Sequence, residues 1–500
     1  VFLSVSYIRR SVCASSSTPS KAQMCSIYKT EKTMIILVVT FSFMLCCDAE
    51  PKEQRIYPRI LQERSTAGKL VLMLNKMITL NLEKSTVLVD KLLFVTSAKE
   101  EQKLEVVDTS DIQRSIYHDT HYQSSVMVRQ EGGNVEVEGI VSHSLRVKPL
   151  LEGERSQQGQ ILHSLFEVPV TEEFSEMEEE IPRLRERSNH NTSSSDWANA
   201  PQSRSAGLQR FPVEVHIVSD KAHQQHFKDN TKLISYLAVM MNAAKLRYLD
   251  TTNPKIEFLL VGVTRVTDYE FARIDGRYID AGEMIDGLKL YKSQGRIHGH
   301  HDVVYLISGY DISKWLAKGK RYNGIRGRAK VGTVCTELGI SEGEDRPHGY
   351  LGVNTIAHEL GHTLGAVHDH TPECPWKDGY LMSYEDGGLK KFRLSQCSER
   401  SIRNYVRTLS NDCIKVLNSQ NYMRNQRKFP GETIRKKYYC RKKVGNTKES
   451  KSVYVEKDNG CFLQCCIKHP SHTWCGKYKM LDGMTCDPGK TCRRGVCAKH

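Results

Sequence analysis

Between residues 50 and 180, apolar and polar positions alternate in short runs such as Lys69–Asn75 and Ile78–Leu82, the period-two pattern of half-buried strands. A mainly β region is expected there, and no catalytic constellation stands out in it. Residues 183–210 turn to arginine, serine, asparagine and glycine with little hydrophobicity, which marks a linker and a place to divide the chain. Beyond it the rhythm changes. Val213–Ser219, Ile256–Val266, Asp302–Ser308 and Val331–Thr336 read as strands, while Lys232–Tyr248, Gly282–Ser293 and Gly352–Leu364 read as helices. Such alternation predicts an α/β layer with the sheet on one side and the last helix behind it. Past Cys413 the regular pattern fades into loops. Near the start, an apolar run from Met34 follows Lys29 and Lys32 and stops at Asp48. It has the length of a signal-peptide core and is too short to span a bilayer. Residues 1–33 are polar and patternless and are expected to be an upstream leader.

The cysteines agree with export. Cys13, Cys25, Cys46 and Cys47 lie in the leader and apolar run, and none occurs between Cys47 and Cys335. The rest form two even groups: Cys335, Cys374, Cys397 and Cys413, then eight from Cys440 to Cys497. Even groups in a secreted chain read as disulfides, and their spacings do not form zinc ribbons. Four cysteines still allow three pairings, and eight allow roughly a hundred. Later segments contain no apolar stretch approaching a membrane span, so no membrane anchor is expected. The formal charge of +14 belongs to the tail, where residues 414–500 carry 20 Lys+Arg against 6 Asp+Glu. Its densest part, Arg435-Lys436-Lys437 and Arg441-Lys442-Lys443, is open to two readings, a lysine-rich solvated surface or a site for a sulfated glycosaminoglycan or an acidic substrate surface. A nucleic acid is not expected. Asn191-Thr192-Ser193 is a glycosylation sequon at Asn191.

The chemistry lies in residues 358–369, which read H-E-L-G-H-T-L-G-A-V-H-D. On a helix His358 and His362 project from one face, where two imidazoles can share a metal. Gly365 lets the chain leave the helix, so that His368 can arrive as a third ligand. Three protein ligands leave one tetrahedral position of zinc for water, the arrangement of a catalytic site. Zinc held by neutral imidazoles brings the pKa of water towards neutrality. Glu359 would take the proton as water attacks a carbonyl, and pass it to the leaving amine. The reaction class is metal-assisted hydrolysis of an amide. The bland alternative is a histidine-rich polar helix, which would rarely place all these residues in register.

The full motif resembles that of the metzincin metallopeptidases, and Asp369 after the third histidine resembles their adamalysin (reprolysin) branch. Val213-Glu214-Val215 resembles the opening strand, His301-Asp302 the third, and Gly332-Thr333-Val334-Cys335 the segment ahead of the zinc helix. Leu381-Met382-Ser383-Tyr384 resembles the Met-turn, with Met382 as the floor beneath the histidines, and Phe392–Ser398 the closing segment. The likeness covers about residues 211–417. It implies an α/β metzincin domain: a five-stranded mixed sheet, an active-site helix and a Met-turn. It also implies the disulfides Cys335–Cys413 and Cys374–Cys397. Calcium is a second cation the resemblance raises, since Glu214 and Asp302 match two ligands, but Val416 stands where an amide side chain is expected. Tyr384 departs from the adamalysins and resembles the astacin and serralysin turn, which implies a hydrogen bond to the transition state; the other reading is a packed aromatic.

Ile78–Val89 resembles an adamalysin propeptide, so residues 50–210 are expected to be a mainly β propeptide. Latency by a propeptide cysteine is excluded, because this stretch has none. Arg185, Arg187 and Arg210 are candidate processing sites. The expected order is a leader (1–33), a signal peptide (34–49), the propeptide (50–210), a catalytic domain (211–417) and a small basic disulfide-rich module (418–500). Asp482–Cys486 and the cysteines after it resemble the cysteine-rich segments of adamalysins with thrombospondin repeats. The whole arrangement resembles the secreted salivary metalloproteases of ticks, which implies host matrix or clotting proteins such as fibrinogen as substrates. The competing reading is a secreted binding or adhesion protein that acts through its basic tail, with the protease domain as scaffold.

Overall fold

The computed structural model describes residues 53–64, 69–98, 101–169, 208–316, 320–414, 431, 434–444, 452–468 and 472–499. The expected leader and signal peptide, together with Arg185, Arg187, Asn191 and Val416, lie outside the described residues.

Nine strands between Gln54 and Glu167 form one antiparallel sheet. Its alternation is the one read from the sequence: along Lys69–Met73 the even positions, Leu70 and Leu72, are buried. They pack with Leu80, Leu82, Val126 and Val137 into a core of their own.

A second sheet has seven strands: β1 (Leu88–Ser97), β2 (Gln102–Asp108), β3 (Arg210–Ser219), β4 (Lys255–Val266), β5 (Val303–Ser308), β6 (Gly327–Ala329) and β7 (Ile340–Glu344). Their spatial order is β6-β7-β5-β3-β4-β1-β2. Neighbours are parallel except at the two ends, where β6 runs against β7 and β2 against β1. Five strands come from the region after the linker. The other two come from the stretch read as propeptide, with β1 paired to β4 from Gly262↔Leu93 to Val266↔Ser97. The expected boundary at residue 210 therefore does not separate two independent folds.

Helix α1 (Asn230–Lys245) is capped by Asp229, whose side chain accepts from the Lys232 amide at 2.8 Å. Every residue from Leu233 to Ala244 is buried, so the helix is covered all round. The seven-stranded sheet covers one side, and the nine-stranded sheet covers the other. Helix α2 (Ala281–Ser293) packs on the opposite face of the seven-stranded sheet, against Val218, Val304 and Leu306.

Helix α3 (Val353–Thr363) carries the histidine motif. It starts at Gly352, where a Cβ would lie 2.5 Å from the Glu344 carbonyl oxygen, so the helix begins hard against the end of β7. It stops at Gly365, whose φ of +96° suits glycine. Residues 331–336, expected as a strand, are instead a run of turns with Gly332 and Cys335 at positive φ. The turns serve the helix end: the Gly332 amide donates to the His362 carbonyl at 2.8 Å, and the Thr333 and Val334 amides donate to the Thr363 carbonyl at 2.9 and 3.1 Å. Cys335 is then bonded to Cys413, and Cys374 to Cys397.

The tail is more regular than the loops expected of it. Helix α4 (Lys436–Val444) packs on the first of two small antiparallel sheets and is tied to it by Cys440–Cys465; Cys461–Cys492 reaches the second sheet, and Cys466–Cys475 and Cys486–Cys497 brace each sheet in turn. Asp482 of the tail meets the Thr120 hydroxyl and His121 of the nine-stranded sheet. Arg494 pairs with Asp250 and donates to the Phe392 carbonyl at 2.7 Å.

Candidate metal centre

Helix α3 puts His358 and His362 on one face, and the turn at Gly365 returns the chain so that His368 faces them. The three Nε2 atoms stand 3.1 Å from one another. All three rings are buried. Each Nδ1 has an oxygen partner: the Leu381 carbonyl at 2.8 Å for His358, the Ala366 carbonyl at 2.9 Å for His362, and the Tyr384 hydroxyl at 2.7 Å for His368. For His358 and His362 this assigns the ring proton to Nδ1 and turns the Nε2 lone pair inwards. Three inward nitrogens at this spacing fit a tetrahedral metal with one position left for solvent or substrate, as zinc takes in hydrolases.

Tyr384 lies elsewhere than its resemblance to the astacin turn implied. Its hydroxyl sits behind His368, on the nitrogen that points away from the metal position, and in this arrangement it holds a ligand ring. Trp376 packs edge-on against it, with ring centres 6.4 Å apart.

Glu359 is fully buried on the same helix. Its carboxylate lies against the edge strand β6, because a Cβ on Gly327 would come within 2.8 Å of Oε1. Met382 is buried beneath the helix, and a Cβ on Gly361 would approach its sulfur to 2.8 Å. That close approach is why the position between Glu359 and His362 that faces Met382 is a glycine.

Asp369 ties the third-histidine segment to the Met-turn and to the start of the helix at Gln396–Val406. Its amide donates to the Met382 carbonyl at 2.9 Å, and its Oδ1 accepts from Ser395 Oγ at 2.6 Å and Ser398 Oγ at 3.0 Å. Burial pushes its carboxyl up, against the lowering effect of the two serines. Sequence reasoning missed Ser395 and Ser398. It also missed the Leu381 and Ala366 carbonyls, which carry no side-chain signature at all.

A second cluster contains Glu214 and Asp302, the two residues matched to calcium. His300 joins them, with Nε2 at 3.3 Å from Glu214 Oε2 and 3.6 Å from Asp302 Oδ1. Calcium takes six to eight oxygen donors. An imidazole between the two carboxylates does not fit that donor set, so the calcium expectation is not carried forward. Burial, reinforced by the Glu214 carboxylate, pushes Asp302 up to about 7.

Residues 211–398 match the family model for reprolysins, described as metallo-peptidase family M12. Among curated relatives, the chain is 26% identical to the venom metalloproteinase antarease TserMP_A of Tityus serrulatus, over 62% of this chain and 81% of that protein. It is 25% identical to the venom metalloproteinase BumaMPs1 of Olivierus martensii, over 62% of this chain and 78% of the relative. It is also 26% identical to a Bombyx mori protein described as a disintegrin and metalloproteinase with thrombospondin motifs like, of which it spans 46%.

Proposed function

We propose, from the match of residues 211–398 to the reprolysin model of metallo-peptidase family M12, that the chain is a secreted zinc endopeptidase of extracellular proteins. The observation that carries the reading is the meeting of three Nε2 atoms at 3.1 Å, with Glu359 on the same buried helix. His358, His362 and His368 are the proposed ligands. Zinc held there supplies Lewis acidity towards water and towards the scissile carbonyl. Glu359 accepts the proton of the attacking water and delivers it to the leaving amine. Edge strand β6, alongside Glu359, offers backbone groups to an extended substrate. Among the described residues no helix is long and apolar enough to cross a membrane. The venom relatives and the apolar run after Met34 support an extracellular setting, with matrix or clotting proteins such as fibrinogen as the proposed substrates.

The test is incubation of the purified protein with gelatin and fibrinogen, with and without a zinc chelator. Cleavage should stop on chelation and return with zinc; cleavage that persists through chelation rules the reading out.

Tyr384 is proposed as a positioning residue. Tyr384→Phe removes the hydroxyl from His368 and is expected to weaken zinc binding by about tenfold, while kcat at saturating zinc changes little. A fall in kcat at unchanged zinc affinity would instead return Tyr384 to the transition state.

The adhesion reading keeps one supporting observation. Arg435, Lys437, Arg441 and Lys442 are all exposed on or beside α4, a basic patch suited to a sulfated glycosaminoglycan. Reversing Lys437, Arg441 and Lys442 to glutamate should lower the salt needed to elute the protein from heparin well below that of a protein of equal net charge. Equal elution discards this contact.

A further inference from the structure

The nine-stranded region and β1–β2 are built into the catalytic unit more deeply than a releasable segment needs. Val87, Leu88, Leu92, Phe94, Met127 and Ile140 lie in the same buried cluster as Ile217, Leu237 and Ile356. On α1, the fully buried Asn242 finds its side-chain partners only in this region among the described residues. Its Nδ2 donates to Ser125 Oγ at 2.9 Å and to the Tyr117 carbonyl at 3.4 Å, and its Oδ1 accepts from Ser85 Oγ at 2.8 Å. Ser125 Oγ also donates to the Val239 carbonyl at 2.8 Å. Arg146, only 4% exposed, donates from Nε to the Gly349 carbonyl at 2.8 Å, in the loop that leads into α3. The tail closes the arrangement from the other side through Asp482 and Arg494. Satisfied buried polar groups of this kind are costly to separate, because each partner would be left without its hydrogen bond.

The same region lines a cavity next to α3. A cavity of about 500 Å³ is lined by Thr355 of α3, Tyr384 and Phe392. Ile140, Ser142 and His143 line it as well. His143 is exposed and packs its ring against Phe392 at 5.9 Å.

We propose that residues 53–169 stay bound to the catalytic region after the backbone is cut between residues 170 and 207, and that the turn holding Ser142 and His143 remains as one wall of the substrate cleft. The protein is then a two-piece enzyme whose N-terminal piece helps choose the substrate side chain beside Phe392. The retention stands on the interface alone; the role as a cleft wall rests on the endopeptidase reading.

The test places a recognition sequence for a site-specific protease between residues 171 and 207, cuts the full chain, and separates the product by size exclusion without denaturant. Both pieces should elute together at the volume of the uncut protein and part only in denaturant. Separation in native buffer, with the larger piece still folded by circular dichroism, overturns the proposal. This arm needs no activity, so its failure is distinct from failure of the enzyme reading. In the cut protein, His143→Ala should change the ratio of kcat/KM between peptides with aromatic and small side chains about tenfold, with co-elution unchanged. An identical cleavage profile overturns the wall while leaving retention to the first arm.

Discussion

Glu359→Ala is expected to lose about 10²–10⁴-fold in kcat while still binding one zinc per chain. The three imidazoles are oriented by the Leu381 and Ala366 carbonyls and the Tyr384 hydroxyl, so the ligand set survives the substitution. What disappears is the group proposed to move the proton. A carboxylate in this fully buried place is costly to desolvate, so its loss is not expected to move the thermal midpoint by more than a few degrees, or about 1 kcal/mol. Metal analysis, thermal unfolding and kcat on a protein substrate read the three quantities separately. An alanine variant that cleaves at the parental rate would remove Glu359 from the mechanism.

Replacing Cys335 and Cys413 together by alanine is the change expected to cost the most stability. The bond spans 78 residues of sequence, and a loop of that length predicts a loss of about 4 kcal/mol from the unfolded chain's regained freedom. For a domain of this size the midpoint should fall on the order of 10 °C. The effect should also reach the metal. Cys335 comes directly after Gly332, Thr333 and Val334, whose amides cap the last carbonyls of α3 at His362 and Thr363. Loosening that turn loosens the end of the helix that carries the second ligand. Zinc release at temperatures below global unfolding would report this. A double variant with the parental midpoint and zinc retention would show that the turn holds without its bond.

The candidate metal centre was legible as a cluster because its residues are local. His358, Glu359, His362, Gly365 and His368 lie within one helix and one turn, so spacing alone places them on one side of the chain. The strands and helices around it follow from period, and their cores agree with the pattern. Residues 331–336 misled because Val331, Val334 and their neighbours look strand-like, while Gly332 and Cys335 take positive φ to reach the helix end. Strand β6 is three residues of Gly-Arg-Ala and carries no apolar alternation. The place of β1 was illegible for another reason. It pairs in parallel with β4, well over a hundred residues away, and parallel pairing over such a distance leaves no mark in either segment. Tyr384 was visible as a residue, but its direction was not. Whether a hydroxyl faces a metal or the back of its ligand depends on a turn conformation that spacing does not specify.

The order β3-β4-β1-β2 has a consequence for solubility. With β1 in place, β4 is an interior strand, and its Phe258, Leu260, Val261 and Val263 are buried. The open edge moves out to β2, where Lys103, Glu105 and Asp108 interrupt the exposed Leu104 and Val106. Charges spaced along an edge discourage another chain from adding to it. A version of this protein that begins at residue 208 would instead bare β4, a long apolar strand with unpaired amides and carbonyls. Such an edge invites strand-to-strand association. Expression of the shortened chain should be limited by self-association before it is limited by catalysis, as its size-exclusion profile beside the full chain would show.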